Sequence, residues 1–262
     1  MADKPKAGFY GFTGCAGCLL TILNCEDELL DIFNAADVKS FLMANRANFE
    51  DEPLDVAFVE GSITTEEQLE KLKKIREKSK IVVAIGTCSC YGGVQSMYFG
   101  DGNFEKRWKQ VYGDAKIELT EAFESKPIDE FIEVDFYLPG CPIDKNQFLE
   151  FYSQLVKGIP PKLPHYPVCA ECKWNENECL LMKGKLCLGP ITRGGCNARC
   201  PSNNVPCVGC FGPADEVNIN SEMKLLLERK YSRDEIIRRI RTFAGASFVR
   251  QFSKLLEEEA RK

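Results

Sequence analysis

The sequence predicts an α/β fold, with a parallel sheet covered by helices and then an irregular, partly helical cysteine-rich region. Three observations predict it. Short apolar runs alternate with amphipathic helical stretches up to Val156. A stretch with four prolines, Ile159 to Pro167, then breaks that rhythm. Eight of the 14 cysteines follow between Cys169 and Cys210, where Gly and Pro recur and apolar periodicity is weak. The expected organisation is a sheet domain over 1–160 and a cysteine-rich domain with C-terminal helices over 161–262.

In chain order, Ala7 to Phe12 reads as the first strand and Leu19 to Phe33 as an apolar helix. Leu54 to Val59 is a compact second strand. Thr64-Thr65-Glu66-Glu67 then reads as a capping box, with Leu69, Leu72 and Ile75 along one helix face. Ile81 to Ile85 is the third strand and Val134 to Leu138 the fourth. Between them, roughly Met97 to Glu130 is polar and irregular, with Trp108 and Tyr112 placed on a short helix; it reads as a solvated excursion rather than a partner contact. Phe148, Tyr152, Leu155 and Val156 share a face of the next helix, which stops at Gly158 before Pro160-Pro161. This βαβ rhythm argues for a parallel sheet with a flavodoxin-like strand order. In the tail, Ser221 to Lys230 reads as one helix. Ser232-Arg233-Asp234-Glu235 caps a second, striped by Ile236, Ile237, Ile240 and Phe243. Phe248, Val249, Phe252, Leu255 and Leu256 suggest a third segment.

Composition excludes several classes. A net charge of −5 leaves no basic footprint for nucleic acid. The N-terminal residues carry no apolar secretory core, and no run of about 18 apolar residues spans a membrane. The expected location is the cytoplasm, where disulfides are rare, so metal ligation is the stronger use for so many thiols. With a single histidine, His165, most ligands must be thiolates, which favours iron–sulfur clusters or zinc.

The thiols sort by position. Gly14-Cys15-Ala16-Gly17-Cys18 stands between the first strand and its helix, where nucleotide-binding folds place a glycine loop. Thiolates at the positive end of a helix are stabilised as anions. Cys88 and Cys141 likewise lie just past strands. In an open α/β sheet these strand ends converge on one edge, so Cys15, Cys18, Cys88 and Cys141 can meet and match a [4Fe–4S] ligand set. The later cysteines divide into Cys169, Cys172, Cys179 and Cys187, and Cys196, Cys200, Cys207 and Cys210. Paired Cys-x-x-Cys units also make zinc ribbons, so zinc stays open here. Cys25 reads as packed, whereas Cys90 is an alternative to Cys88. Glu60 either faces a partner or caps a turn. There is no Ser-His-Asp set and no G-x-G-x-x-G loop, so no catalytic residue and no bound NADP are expected on this chain.

Gly14-Cys15-x-Gly-Cys18, Gly86-Thr87-Cys88-x-x-Tyr91-Gly92-Gly93, Pro139-Gly140-Cys141-Pro142, Cys187-Leu188-Gly189-Pro190 through Cys196, and Pro206-Cys207-Val208-Gly209-Cys210 occur in that order. Over about residues 7 to 213 the pattern resembles the small subunit of [NiFe] hydrogenases. It is most similar to the delta subunits of archaeal cytoplasmic sulfhydrogenases, which are NADP-linked. The resemblance implies three [4Fe–4S] clusters: a proximal one on Cys15, Cys18, Cys88 and Cys141, a distal one on Cys169, Cys172, Cys179 and Cys187, and a medial one on Cys196, Cys200, Cys207 and Cys210. Many relatives use histidine as the first distal ligand, where this chain has Cys169; His165 reads as a linker residue. Many also hold a three-iron medial cluster, whereas Cys200 offers a fourth thiolate here.

The resemblance further implies a large catalytic subunit carrying the Ni–Fe centre. It also implies flavin- and NADP(H)-binding and ferredoxin-like iron–sulfur subunits, with FAD and NADP in those partners, in a cytoplasmic heterotetramer. The chain itself would relay electrons. A gamma subunit of an F420-reducing hydrogenase would carry ferredoxin-like cysteine runs, and a complex-I-like subunit would carry adjacent cysteines. A zinc-stapled structural module is the rival from another class.

Overall fold

The computed structural model describes residues 4–46, 48, 49, 51–113 and 122–260, and beyond residue 247 the side chain of Arg250 alone. A five-stranded parallel sheet forms its centre. The strands are β1 (Lys6–Gly11), β2 (Asp37–Phe41), β3 (Leu54–Glu60), β5 (Ser79–Ile85) and β7 (Phe136–Leu138), in the order β2-β1-β3-β5-β7. Counting sheet strands alone, this is the flavodoxin-like order 2-1-3-4-5. The short strands β4 (Ile63–Thr65) and β6 (Ala122–Lys126) make a separate antiparallel ribbon.

Side chains along each strand alternate between two helical layers. Phe9, Val56, Phe58, Val83, Ile85 and Leu138 face α1 (Gly17–Leu23), α2 (Leu29–Ala35) and α6 (Lys145–Val156). Phe9 stacks on Phe41 at 4.7 Å and on Phe58 at 4.9 Å. Tyr10, Ala57, Val59, Val82 and Ala84 face α3 (Glu66–Lys78) and α4 (Gly86–Tyr91). Apolar residues on both faces are why these strands read as nearly continuous hydrophobic runs. Burying one such phenylalanine contributes about 1.5–3 kcal/mol.

Four details differ from the sequence reading. The strand β2 is additional: its polar Asp37 and Lys39 are tolerated because it lies at the sheet edge. The expected helix from Leu19 to Phe33 is two helices, because α1 ends at Asn24 and Cys25 turns into the core. The cap of α3 falls one residue later than read: the Thr65 hydroxyl accepts from the Gln68 amide, and the Gln68 side chain accepts from the Thr64 amide at 2.9 Å. The fourth sheet strand is also shorter than expected, starting at Phe136. Trp108 and Tyr112 do lie on a short helix, α5 (Phe104–Tyr112), with ring centroids 4.6 Å apart.

The second half contains α7 (Val168–Trp174), α8 (Arg199–Ser202), α9 (Ile219–Glu228) and α10 (Arg233–Ala260), which is kinked at Ala244. The Glu235 amide donates to Ser232 Oγ at 3.2 Å, as its capping box requires. The third segment expected at Phe248 to Leu256 rests on side chains outside the described residues. A separate core gathers Val168, Leu188, Ile191, Met223, Leu226, Ile236 and Ile240 together with Cys187 and Cys207. Tyr91 packs against this core and against the α3 face of the sheet, which joins the two halves. No helix among the described residues is long and apolar enough to cross a membrane.

Candidate metal centres

The carboxyl ends of β1, β5 and β7 bring Cys15, Cys18, Cys88 and Cys141 to one edge. The loop after β1 is pinned by Thr13 and Ser62, whose backbones bond reciprocally at 3.0 and 2.8 Å. Ala16 takes the left-handed conformation and turns the chain into α1. Glu60, at the end of β3, is buried. Its carboxylate accepts from the Cys18 amide at 3.1 Å and the Leu19 amide at 3.0 Å, so it caps α1. Burial raises the Glu60 carboxyl, against the pull of those two amides.

Two glycines leave room for sulfur. A Cβ on Gly86 would stand 2.3 Å from Cys18 Sγ, and one on Gly93 2.6 Å from Cys88 Sγ. Both residues also hold positive φ, which glycine adopts without strain. The Gln95 amide nitrogen reaches Thr13 O at 3.1 Å and Ser62 Oγ at 2.9 Å, and its oxygen stands 3.8 Å from Cys88 Sγ. Cys141 precedes a cis peptide bond to Pro142. Burial is the largest influence on these thiols: it raises Cys18 and Cys88 and pushes Cys141 up to about 11, with the neighbouring cysteines adding to each rise. At Cys18, burial outweighs the helix-end stabilisation of a thiolate expected from the sequence, and thiols raised in this way release protons on binding a metal. Cys15 and Cys141 are exposed at the edge.

Cys90 points the other way. Two residues along α4 from Cys88, it is buried and its thiol donates to Ala84 O at 3.4 Å. Cys25 is likewise buried and donates to Thr21 O. His165 is exposed, with Nδ1 2.7 Å from Asp215 Oδ2.

In the second half, α7 carries Cys169 and Cys172. Burial pushes the Cys169 thiol up to about 12, helped by Cys187, Cys172 and Cys179. A Cβ on Gly189 would meet Cys169 Sγ at 3.2 Å and Cys187 Sγ at 3.6 Å. Cys196, Cys200 and Cys210 form another neighbourhood: burial pushes Cys210 up to about 12, and Cys196 and Cys200 add to it. Cys207 lies between the two groups. Its amide donates to Cys187 Sγ at 3.3 Å, and both Cys187 and Cys210 act on its thiol, which burial raises. Two buried carboxylates that the motifs do not announce adjoin these thiols. Glu171 contacts the Cys196 loop, and Glu222 acts on Cys169 and Cys187.

The two halves meet at sulfur-bearing loops. The Thr87 hydroxyl donates to Cys210 O, while the Thr87 amide donates to Gly140 O at 2.8 Å. Grouped thiols, with glycines where a Cβ would strike sulfur, form a donor set that fits iron–sulfur clusters. Among the described residues, no three His, Cys, Asp or Glu side chains gather closely enough to hold a single metal ion.

Comparison with known proteins is consistent with this architecture. Residues 15–155 match the family described as NADH ubiquinone oxidoreductase, 20 Kd subunit. Sulfhydrogenase 2 subunit delta of Pyrococcus furiosus is 40% identical over 240 residues, covering 91% of this chain and 99% of that protein. An iron–sulfur subunit of the F420-non-reducing hydrogenase of Archaeoglobus profundus is 29% identical over 256 residues, covering 76% of this chain and 79% of that one. A chain of the NAD+-reducing [NiFe]-hydrogenase in the H2-reduced state superposes with a TM-score of 0.54 at 26% identity, covering 62% of this chain and 96% of that chain. The family match stops before the second cysteine-rich half, whereas the sulfhydrogenase delta subunit runs on through nearly the whole chain. The chain therefore belongs to the NADH ubiquinone oxidoreductase 20 Kd subunit family and, within it, to the small subunits of [NiFe] hydrogenases.

Proposed function

We propose that this chain is the electron-transfer subunit of a cytoplasmic [NiFe] hydrogenase or sulfhydrogenase complex. It links a Ni–Fe large subunit to a flavin/NADP(H) reductase partner through three [4Fe–4S] clusters. The ligand sets are Cys15, Cys18, Cys88 and Cys141; Cys169, Cys172, Cys179 and Cys187; and Cys196, Cys200, Cys207 and Cys210. The observation that carries this reading is the continuity of the thiol groups, joined by the Thr87–Cys210 and Cys207–Cys187 hydrogen bonds. The relatives' names support it: one is a sulfhydrogenase subunit, one an iron–sulfur subunit of an F420-non-reducing hydrogenase, and one belongs to an NAD+-reducing enzyme.

Bound clusters would supply one-electron transfer. The chain's residues hold and insulate them. Glu60 sets the start of α1 so that Cys18 faces the sheet edge, and Gly86 and Gly93 let backbone approach sulfur. Thr87 locks the Cys88, Cys141 and Cys210 loops together. Exposure of Cys15 and Cys141 at the sheet edge supports the first group as the one that faces the large subunit. In the medial set, Cys200 supplies the fourth thiolate.

Metal and acid-labile sulfide analysis of the anaerobically purified complex tests the reading. About twelve irons with equal sulfide are expected per copy of this chain. Zinc without iron would sink it and leave the structural module. Co-purification with an F420-binding subunit in place of a flavin/NADP(H) subunit would overturn the acceptor.

A further inference from the structure

Glu171 is 3% exposed and sits on α7 between Cys169 and Cys172. Its carboxylate points away from that pair, into the loop that carries Cys196. Oε1 accepts from the Gly195 amide at 2.5 Å, and Oε2 accepts from the Ala198 amide at 2.8 Å. The Cys196 Sγ stands 3.7 Å from Oε2. The loop itself is held in rare conformations: φ is +116° at Gly195, +54° at Asn197 and +47° at Ala198. Successive residues of this kind turn their amides inward to form an anion-binding concavity. Here the anion comes from within the chain.

The two glycines before Cys196 are crowded by neighbouring side chains. A Cβ on Gly194 would stand 2.6 Å from the Tyr166 ring and 3.2 Å from Glu171 Oε1. A Cβ on Gly195 would stand 2.2 Å from the Gln147 amide nitrogen. The paired glycines are therefore what lets the loop close onto the carboxylate.

We propose that Glu171 is a positioning residue for electron transfer, tying the helix that carries Cys169 and Cys172 to the Cys196 loop and setting a carboxylate beside Cys196 Sγ. The proposal rests on the three-cluster reading above. Two consequences follow from the geometry. The two later thiol groups are held as one unit, so their separation does not depend on flexible loops. An acceptor oxygen 3.7 Å from a ligand sulfur, in place of a hydrogen-bond donor, also keeps the potential of that group low. A carboxamide keeps only one of the two acceptors in the first role, and in the second it sets an N–H where the carboxylate oxygen stands.

The test uses the anaerobically purified complex, with iron and sulfide analysis and EPR-monitored redox titration. Glu171→Gln keeps one acceptor oxygen and turns an N–H toward Cys196 Sγ. It is expected to retain its iron and to raise the midpoint potential of one cluster, with smaller shifts in the other two. Glu171→Ala removes both acceptors and is expected to lose about four irons. Unchanged midpoints in Glu171→Gln overturn the influence on potential. Full iron content in Glu171→Ala overturns the tie between the two groups. If the alanine variant fails to assemble, the glutamine titration decides alone. An unsubstituted complex without iron overturns the three-cluster reading itself, and this proposal falls with it.

Discussion

The two halves of the chain place cysteines by opposite means. In the first half the thiols are at strand ends up to 126 positions apart, and a large apolar core builds the sheet beneath them. Of those four cysteines, Cys18 alone belongs to a core. In the second half, Cys187 and Cys207 are core members, with Cys172 and Cys196 packed against them. The short helices α7 and α8 have seven and four residues, too short to be stable by themselves. The sheet is thus a scaffold that carries its thiols at one edge, whereas the later region builds its thiols into its interior.

The largest expected effect breaks the comparison directly. Stripping iron with a chelator under air should abolish amide-exchange protection across 168–212 while β3 and β5 stay protected. Equal loss in both halves, read by hydrogen-exchange mass spectrometry, would show that the sheet also needs its metal. The next tests how tightly the scaffold is built around sulfur. Gly86→Ala puts a Cβ onto Cys18 Sγ and should cost about four irons without unfolding the chain. Iron content and circular dichroism together check it.

Smaller effects sharpen the picture. Glu222 in the second half is buried, with no hydrogen-bond partner for Oε1 among the described residues, and faces Cys169 on α7, Cys187 and Arg229. Burial pushes it up to about 7 from 4.5, against the pull of Arg229. The folded chain then holds this proton more tightly than the unfolded chain. Its contribution to stability is complete below pH 4.5 and is lost as pH rises through 7. Glu222→Gln should match the unsubstituted chain at low pH and exceed it above neutrality by about 1–3 kcal/mol, measured by denaturant unfolding across pH. The smallest effect is expected for Cys90→Ser. It leaves iron unchanged and costs about 1 kcal/mol, because the new hydroxyl can still reach Ala84 O. Loss of iron would instead make Cys90 a ligand.

Much of the sheet was legible because its strands are buried on both faces and so read as apolar runs. The exception, β2, is an edge strand whose Asp37 and Lys39 break the pattern. The break between α1 and α2 was illegible because Leu19, Ile22, Ile32 and Phe33 keep a helical spacing across it. The thiols at strand ends could be grouped from order alone, since parallel strands must end together. Glu171 and Glu222 gave no such signal: a glutamate among cysteines looks like any surface residue until its burial is known.

By itself, then, the sequence determined the sheet, the strand-end placement of Cys15, Cys18, Cys88 and Cys141, and the family motifs, because apolar period and thiol spacing are local properties. Tertiary structure alone decided which way each side chain turned. Cys88 and Cys90 are two residues apart on α4 and face opposite ways, and Glu60 left two roles open until its carboxylate met the α1 amides. Those choices depend on packing between residues distant in the chain, and no local pattern encodes it.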